Sequence, residues 1–436
     1  MSHAVGWIMN ILIAGAGIGG LVAALSLHDG GLDDLRVIDA ARELRPLGAG
    51  VNLRPNAVRE LAALGLYRPI ADVAVPIEEV HYHNQHGDLI SREQRGRGSG
   101  YHWPQLAVRR GALQGILAEA VRTRLGEHRV RAATRVTGAT AVDGGVRVDV
   151  LRDGEPTTFE ADVLIGADGL HSAVRRAVSS SESAPVWNGM VVWRGMTWAP
   201  PPARAGRVVI AGDGVRKVVL YPVAPPRADG QVLLNWAVSV RHEDHDGADR
   251  TDWNRPVPAA KVAAGFPGWR VAGIALTDLF EGADSCFEYP LLDRDPLPTW
   301  SSGTTTLLGD AAHAMHPMGS NATTQAVVDA RALAYFLATD PDPARAIAAY
   351  ERHRRPVTSR IQLANRAMGP EAVIDLVAER APAGFAAVTD VVPSASLDAV
   401  GDRYAVLAGF DRDSVNRRSP YDIRRARLVD SAALGA

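Results

Sequence analysis

The sequence lacks the residues on which several classes of protein depend. Its one cysteine, Cys286, can form neither an internal disulfide nor a thiolate metal site, and we expect it to be a packed small side chain. The 47 Lys and Arg residues nearly balance the 49 Asp and Glu residues, so the chain has no strong field to attract phosphate backbones or anionic lipid. We therefore expect no binding to nucleic acid or membranes, and a reducing compartment such as the cytoplasm.

Long apolar runs are also missing. No stretch reaches the roughly 18 apolar residues that a membrane-spanning helix needs. The N-terminal segment has no basic region and no small-residue cleavage site, so we expect a first strand there rather than a targeting signal. The chain has 436 residues, 47% of them hydrophobic, which is enough for two domains or one large domain.

The chain begins with an alternation of strand and helix. Residues 7–14 form an apolar run typical of a buried parallel strand, residues 18–28 have helical periodicity, and residues 35–38 form a second buried strand. The same alternation returns near residue 304, whereas residues 186–288 contain strand-like pieces separated by Pro and Gly turns. The pattern predicts an α/β fold in which a Rossmann-like domain is interrupted by an antiparallel-sheet domain and followed by a helical C-terminal tail.

The domain boundaries follow from these changes of pattern. Residues 1–75, 105–180 and 286–368 form the expected nucleotide-binding domain. Residues 76–104 and 181–285 form the expected substrate domain, and residues 369–436 form the C-terminal helical segment.

A glycine-rich turn joins the first strand to the first helix. Gly15, Gly17 and Gly20 match the pattern G-x-G-x-x-G, in which glycines allow a tight turn, close approach of a pyrophosphate and close packing of helix on strand. Asp39 ends the second strand, where a carboxylate can accept hydrogen bonds from ribose hydroxyls. The alternative is a glycine turn with an incidental acid. The turn alone does not distinguish NAD from FAD.

Two further acids follow buried strands. Asp168 lies in a Gly-bracketed turn that leads into a helix, and Asp310 follows Gly309 in the same way. Either acid, taken alone, could simply cap a helix. The segment from Pro317 then leads into a helix expected to start near Ser320.

Together and in this order, the three motifs resemble those of the class A FAD-dependent aromatic hydroxylases, the family of p-hydroxybenzoate and salicylate hydroxylases. The likeness runs from about residue 11 to residue 366, and within the family it is greatest to the phenazine monooxygenases. It includes the segments Arg45-Pro46-Leu47-Gly48, Trp193-Arg194-Gly195, Tyr221-Pro222, Asn235-Trp236, 293–298 and Pro317-Met318-Gly319.

The resemblance implies a set of FAD-binding residues. The ADP half would be held by Gly15, Gly17, Gly20 and Asp39. The pyrophosphate and ribityl region would be held by Arg110, Gly309 and Asp310, with Asp168 serving both FAD and the nicotinamide cofactor. The residues beside the isoalloxazine ring would be Gly48, Gly50, Val51 and Ala322.

The resemblance also implies the reaction. NADH or NADPH reduces FAD, dioxygen forms a C4a-hydroperoxide, and this hydroxylates an aromatic or electron-rich ring, with no metal required. The candidate catalytic residues are Tyr221, His313, Pro317, Met318 and Gly319. Tyr221 could face the substrate or pack in the core, and His313 could orient the flavin or handle protons.

Some features depart from the family pattern or have simpler interpretations. Ala322 stands where the family usually has a second glycine, which adds a methyl group at a close flavin contact. His81, His83 and His86 are expected on a solvated loop or strand edge, with a metal site as the alternative. The basic residues 352–355 before Pro356 are expected at a solvated helix end.

Several alternatives stay open. The same flavin chemistry could epoxidise or oxidise a quinone or alkene, and a non-catalytic carrier that sequesters flavin or ligand would show the same binding motifs. The substrate, the choice between NADH and NADPH, and the oligomeric state, with a homodimer among the options, cannot be read from the residues.

Overall fold

The computed structural model describes residues 9–43, 49–179, 183–202, 206–241 and 255–423. Gly48, which the resemblance places beside the isoalloxazine ring, lies outside the described residues, as do the first two residues of the expected initial strand.

The chain alternates between short strands and helices before ending in helices. The strands are β1 Ile11–Ala14, β2 Leu35–Ile38, β3 Gly50–Leu53, β4 Val75–Ile77, β5 Glu79–Asn84, β6 Leu89–Gln94, β7 Gln105–Arg109, β8 Val130–Arg131, β9 Thr134–Val142, β10 Gly145–Arg152, β11 Glu155–Ala161, β12 Val163–Gly166, β13 Val186–Ala199, β14 Arg207–Gly212, β15 Arg216–Pro222, β16 Val232–Arg241, β17 Arg255–Val257, β18 Arg270–Val271, β19 Ile274–Ala275, β20 Cys286–Asp293, β21 Ser301–Ser302 and β22 Thr305–Leu307. The helices are α1 Ile18–Asp29, α2 Pro55–Ala63, α3 Tyr67–Ala71, α4 Arg110–Leu125, α5 Ala173–Val178, α6 Ala259–Ala264, α7 Leu276–Glu281, α8 Asp310–His313, α9 Ala322–Thr339, α10 Pro343–Arg366, α11 Ala372–Arg380, α12 Ser394–Leu407 and α13 Arg412–Asn416.

A six-stranded sheet is built mainly from the segments that the sequence predicts to bind a nucleotide, and its strand order is β21-β22-β12-β1-β2-β8. β1 pairs in parallel with both β12 and β2, and its four residues are fully buried. The helices α1 and α9 pack against each other beside this sheet. Because the carboxyl ends of parallel strands meet at one edge, the turns after β1, β2, β12 and β22 come together there. The predicted α/β fold class is confirmed.

The second large sheet has eight strands, in the order β17-β20-β13-β16-β15-β14-β5-β6. Its pairs are antiparallel, as predicted, except that β14 and β5 run in parallel. These two strands come from segments more than 100 residues apart, so no hairpin imposes an antiparallel orientation on them.

The two faces of this sheet bury different residues. We define the outer face as the side that carries Trp193 and Trp236, which pack with residues of α6 and α7. The inner face carries Trp198 and Tyr221, which belong to a cluster that α11 and α12 help to cover. Strand side chains alternate, so Lys217 lies on the inner face with Tyr221. Because strand side chains alternate, the sequence predicts that Trp193, Trp198, Tyr221 and Trp236 divide between the two faces, and the structure confirms this.

Two predictions about polar residues are wrong. His81 and His83 are buried on β5, an interior strand of the eight-stranded sheet, rather than solvated, and only His86 is exposed.

The basic run before Pro356 does not end a helix, because α10 continues through this proline to Arg366. Arg354 turns inward and its Nε lies 2.8 Å from Asp329 Oδ1, so a buried ion pair holds this part of the helix in place.

Three further expectations concern Cys286, the helix near Ser320 and membrane-spanning helices. Cys286 is a buried free cysteine, as expected. The helix expected near Ser320 begins two residues later, because Gly319 and Ser320 have φ values of 72° and 51°, which are not helical. No helix within the described ranges is long and apolar enough to cross a membrane.

Candidate active site

The glycine turn after β1 is closely packed on one side and open on the other. A Cβ atom on Gly15 would lie 2.2 Å from the carbonyl oxygen of Ala167, and one on Gly20 would lie 2.0 Å from the carbonyl oxygen of Gly15. A Cβ atom on Gly17 would meet nothing within 4 Å. Gly17 is also the N-cap residue of α1, and it has no side chain that could bond to the N–H groups of the first turn. The turn therefore presents backbone N–H groups to an open space, as a pyrophosphate requires.

Asp39 lies beside this turn. Its Oδ2 accepts a hydrogen bond of 2.6 Å from the Ala16 N–H, and its Oδ1 accepts one of 2.8 Å from the Ala41 N–H. Gln114 on α4 donates to the Ala16 carbonyl over 2.8 Å, which brings α4 to the same edge. Arg110, the first residue of α4, is exposed. The structure thus groups the acid, the glycine turn and the helix that begins with this arginine.

Asp168 caps a helix within its own chain. Its Oδ1 accepts a 2.5 Å hydrogen bond from Ser172, and its Oδ2 accepts bonds of 2.7 and 3.3 Å from the Ala173 and Val174 N–H groups at the start of α5. Burial raises the pKa of Asp168, although these hydrogen bonds oppose the shift. The capping role that the sequence left open is therefore present.

The turn after β22 is held by a buried acid from α9. Asp329 Oδ2 accepts hydrogen bonds from the Gly309 N–H at 3.1 Å and from His313 Nε2 at 2.5 Å, while its Oδ1 pairs with Arg354. Burial alone would raise the pKa of Asp329, but the charges of His313 and Arg354 outweigh burial and lower it. Asp310 is exposed beside this buried network. The arrangement suits an orienting role for His313.

Gly50 at the start of β3 is held by two side chains from the inner face. Its N–H donates to Asn235 Oδ1 over 2.7 Å, and the Tyr221 hydroxyl donates to its carbonyl over 2.7 Å. A Cβ atom on Gly50 would lie 2.4 Å from Val223, so this contact leaves no room for a side chain. Burial raises the pKa of Tyr221 to about 12, so the hydroxyl keeps its proton at neutral pH. Val51 follows in the same strand.

The inner face also carries Arg194, which was not among the candidate site residues predicted from the sequence. The Arg194 guanidinium lies 5.7 Å from the centroid of the Tyr289 ring. Burial lowers the pKa of Arg194, and the charge of Arg110 adds a smaller effect in the same direction. Strand alternation contained the signal, since Arg194 must face away from the side that Trp193 faces.

Pro317, Met318 and Gly319 form a segment held by distant parts of the chain. Gly319 donates its N–H to Glu371 Oε1 over 3.2 Å, and its carbonyl accepts a 2.6 Å hydrogen bond from the Arg54 guanidinium. Pro317 is exposed, whereas Met318 is buried. Burial lowers the pKa of Arg54 to about 10.

Tyr404 of α12 fills the space next to Gly319. A Cβ atom on Gly319 would lie 2.5 Å from the Tyr404 hydroxyl oxygen, and with φ of 72° this position requires glycine. Ala322 is the first residue of α9 and is not among the residues with positive φ, whereas Gly319 and Ser320 are. Sequence reasoning did not foresee the contributions of Tyr404, Arg54 and Glu371, which lie far from Gly319 in the chain.

A cavity of approximately 350 Å³ opens at one end of the inner face. It is bounded by side chains from the eight-stranded sheet, from the segment before Pro317 and from the C-terminal helices; among them are Met190, Lys217, Arg241, His316, Met368 and Asp375. Within the described residues, no group of three or more His, Cys, Asp or Glu side chains could hold a metal ion.

Known proteins resemble this chain in sequence and in fold. The FAD binding domain family matches residues 9–193. Phenazine 1,6-dicarboxylic acid hydroxylase PhzS of Lysobacter antibioticus is 38% identical over 362 residues, which cover 82% of this chain and 89% of that protein. The protein 3-hydroxybenzoate 6-hydroxylase 1 of Aquipseudomonas alcaligenes is 32% identical and covers 82% and 88% of the two chains.

Solved structures share the fold at lower identity. Klebsiella pneumoniae HpxO, complexed with FAD and uric acid, superposes with a TM-score of 0.74 at 24% identity and covers 93% of this chain and 96% of its own. A salicylate hydroxylase substrate complex superposes with a TM-score of 0.71 at 22% identity and covers 95% and 99%. The open glycine turn fits the FAD that the sequence relatives imply, and the chain belongs to the class A FAD-dependent aromatic hydroxylases, which are flavoprotein monooxygenases.

Proposed function

We propose that this protein is a single-component monooxygenase that uses NADH or NADPH to hydroxylate a phenazine-like or related aromatic compound of secondary metabolism. One observation carries the proposal. Tyr221 and Asn235 on the inner face bond directly to Gly50, which the resemblance places beside the isoalloxazine ring. A substrate lying on the inner face would therefore be next to the flavin.

FAD binding and substrate binding are proposed for different segments, which correspond to the two large sheets. Residues 1–75, 105–180 and 286–368 would bind FAD, residues 76–104 and 181–285 would shape the substrate face, and residues 369–436 would close it. The single buried cysteine suits a reducing compartment such as the cytoplasm.

The FAD-binding roles are proposed for residues around the edge of the six-stranded sheet. The close packing of Gly15 and Gly20 would hold the turn in place, and the open space at Gly17 would admit the pyrophosphate. Asp39 and Asp310 would bind the ribose and ribityl hydroxyls, and Arg110 would neutralise phosphate charge. Asp168 and Gly309 would support the same site, with Asp168 available to the nicotinamide cofactor once it releases its capping bonds.

When bound and reduced, FAD supplies the activation of dioxygen. The chain's own contribution is to position the substrate, to keep water away and to hold protons at defined atoms. Tyr221 and Gly50 keep the inner face next to the flavin segment, while Pro317, Met318, Gly319 and Ala322 would border the ring. We assign His313 an orienting role, because its Nε2 is bonded to Asp329 inside the core.

The decisive experiment measures NADH and NADPH oxidation by the purified protein with a panel of phenazines, salicylates, quinolones and hydroxyquinones. Product mass and hydrogen peroxide release are recorded in the same reactions. We expect a yellow protein whose NAD(P)H oxidation accelerates with an aromatic substrate that gains one oxygen atom. A protein that takes up no FAD would contradict the proposal, and one that takes up FAD without substrate-stimulated turnover would favour the flavin or ligand carrier.

A further inference from the structure

Lys217 is a buried amine whose hydrogen-bond donors do not all have an acceptor among the described residues. Its side chain is 3% exposed and lines the cavity at the end of the inner face. Its Nζ lies 3.2 Å from Glu371 Oε2, but among the described residues no acceptor meets Nζ in hydrogen-bond geometry. An ammonium group has three donors, and burying them without acceptors is costly. Lys217 is therefore available to an acceptor that enters the cavity.

His316 presents a second unsatisfied atom to the same cavity. It is 4% exposed, and its Nε2 has no hydrogen-bond partner within the described part of the chain. The nearest carboxylate oxygen, Asp293 Oδ2, is 3.6 Å away. Burial lowers the pKa of His316, so the ring is neutral at pH 7 and can donate one hydrogen bond. Two buried polar groups thus face one space.

Two other charged residues around the cavity, Arg366 and Asp213, are matched within the chain. Arg366 forms two hydrogen bonds with Asp293, of 2.6 and 3.0 Å, and one of 2.8 Å with Asp295. Asp213 accepts two backbone N–H groups. These groups define the cavity walls without demanding a ligand.

Asp375 offers a complementary site for a donor. Its Oδ1 is buried and has no hydrogen-bond partner among the described residues. Burial raises the pKa of Asp375, and the charge of Glu371 adds to that effect while the charge of Lys217 opposes it. A ligand in the cavity would meet the donors of Lys217 and His316 and also the carboxyl group of Asp375.

Apolar side chains complete the cavity. Met190 and Met368 line it, and both belong to a cluster with Met318 of the predicted flavin segment. Thioether side chains adapt to flat rings and make favourable contacts with them. The cavity volume lies near the lower end of the range for small-molecule sites, about 300–1,000 Å³.

We propose that this cavity binds the substrate and that Lys217, assisted by His316, recognises it through a ring carboxylate. A hydroxyl or amino group on the same ring would donate to Asp375. The inference rests on the proposed function, because it assigns a substrate class, an aromatic acid with a further donor, to the hydroxylase. It adds a specificity-determining residue that no sequence motif identified.

Glu371 is the positioning residue in this arrangement. One of its oxygens pairs with Lys217 and the other accepts the Gly319 N–H, so a single carboxylate connects the ligand cavity with the predicted flavin segment. Glu371→Gln removes the charge that pairs with Lys217 and should shift the visible spectrum of the bound flavin. A purely structural role in the C-terminal helices would leave that spectrum unchanged.

The test uses calorimetric titration of the FAD-loaded protein with two isosteric probes, phenazine-1-carboxylate and phenazine-1-carboxamide. We expect the carboxylate to bind more tightly, and Lys217→Met to weaken its binding at least tenfold while changing carboxamide binding less than twofold. Tenfold corresponds to about 1.4 kcal/mol. Lys261→Met is the matched control, because Lys261 is the other lysine in the sequence and pairs with Glu288 outside the cavity. Equal loss for both probes would overturn the assignment of Lys217.

A second measurement needs no variant and so does not depend on the folding of Lys217→Met. Reductive methylation of the native, FAD-loaded protein followed by mass spectrometry reports each lysine separately. We expect phenazine-1-carboxylate to protect Lys217 at least fivefold more than phenazine-1-carboxamide does, with Lys261 labelled equally in both samples. Equal labelling of Lys217 with the two probes would contradict the proposal.

The two measurements also separate this inference from the proposed function. If Lys217 discriminates between the probes but no aromatic compound stimulates NAD(P)H oxidation, the binding site stands and the hydroxylase proposal fails. If turnover occurs and Lys217 does not discriminate, the hydroxylase proposal stands and the role of Lys217 is wrong.

Discussion

The glycine turn and the segment from Gly309 to Gly319 both belong to the predicted flavin site, yet they are built differently. The glycine turn is formed by neighbouring strands and a helix, and its main side-chain contact comes from Asp39. The later segment is held by Arg54, Asp329 and Glu371, together with Tyr404 of α12. The first region carries a recognisable local motif, whereas the second depends mainly on side-chain pairings between distant segments.

This difference predicts how each region responds to substitution. In the glycine turn, an added atom matters because backbone already fills the space on one side. In the later segment, a removed atom matters because a buried polar partner loses its match. The glycine turn should therefore be sensitive to added atoms, whereas the later segment should be sensitive to the loss of polar atoms and, at Gly319, to an added atom as well.

The largest effect is expected for Asp329→Ala. The substitution leaves the buried Arg354 without its carboxylate and the Gly309 N–H without its acceptor, and we expect a loss of about 3–5 kcal/mol in the free energy of unfolding. Chemical denaturation followed by circular dichroism measures it. Asp310→Ala is the control, because this exposed carboxylate should lower FAD occupancy with little change in stability. Equal stability of the two variants would show that distant pairing does not hold this segment.

An intermediate effect is expected for Gly20→Ala. The new Cβ atom would meet the Gly15 carbonyl at 2.0 Å, and overpacking of this kind costs about 1–3 kcal/mol. Gly17→Ala has open space instead, so we expect its apoprotein stability to stay within about 0.5 kcal/mol of wild type while FAD binding weakens. Thermal unfolding without FAD and equilibrium dialysis with FAD separate the two. A stable Gly20→Ala protein with full FAD affinity would refute the close packing described here.

The smallest effect is expected for Tyr221→Phe. Loss of the hydrogen bond to the Gly50 carbonyl should cost about 1 kcal/mol, because the ring and its packing remain. The flavin absorption spectrum should shift as well, since Gly50 lies in the predicted isoalloxazine segment. Trp198→Phe, also on the inner face, is the comparison variant and should leave the spectrum unchanged. A spectral shift in both variants would mean that Gly50 is not the source.

Sequence reasoning succeeded where structure follows from neighbouring residues. The βαβ unit, the glycine turn beside Asp39 and the alternation that separates Trp193 from Tyr221 all have a short period or a fixed spacing. The change from strand-helix alternation to successive strand-like pieces also indicated the order of the two large sheets along the chain.

Sequence reasoning failed where a polar side chain is matched by a distant partner. Arg354 lies beside Pro356 and has the appearance of a solvated helix end, but the carboxylate of Asp329 draws it into the core. His81 and His83 are polar residues on an interior strand, and nothing in their local pattern indicates that β14 covers one side of it. The pairing of Lys217 with Glu371 spans more than 150 residues and has no periodic signature. Such contacts become visible only when the fold brings the segments together.

The packing of Tyr404 against Gly319 affects the order in which parts of the protein can fold during synthesis. Protein synthesis proceeds from the N-terminus, so the glycine turn leaves the ribosome early and can begin to fold with its βαβ unit. The segment at Gly319 acquires its neighbour only after α12 has been translated. A nascent chain that stops before α12 would carry the glycine turn without Tyr404 beside Gly319, so uptake of the flavin in its native position would report that α12 has been translated and packed.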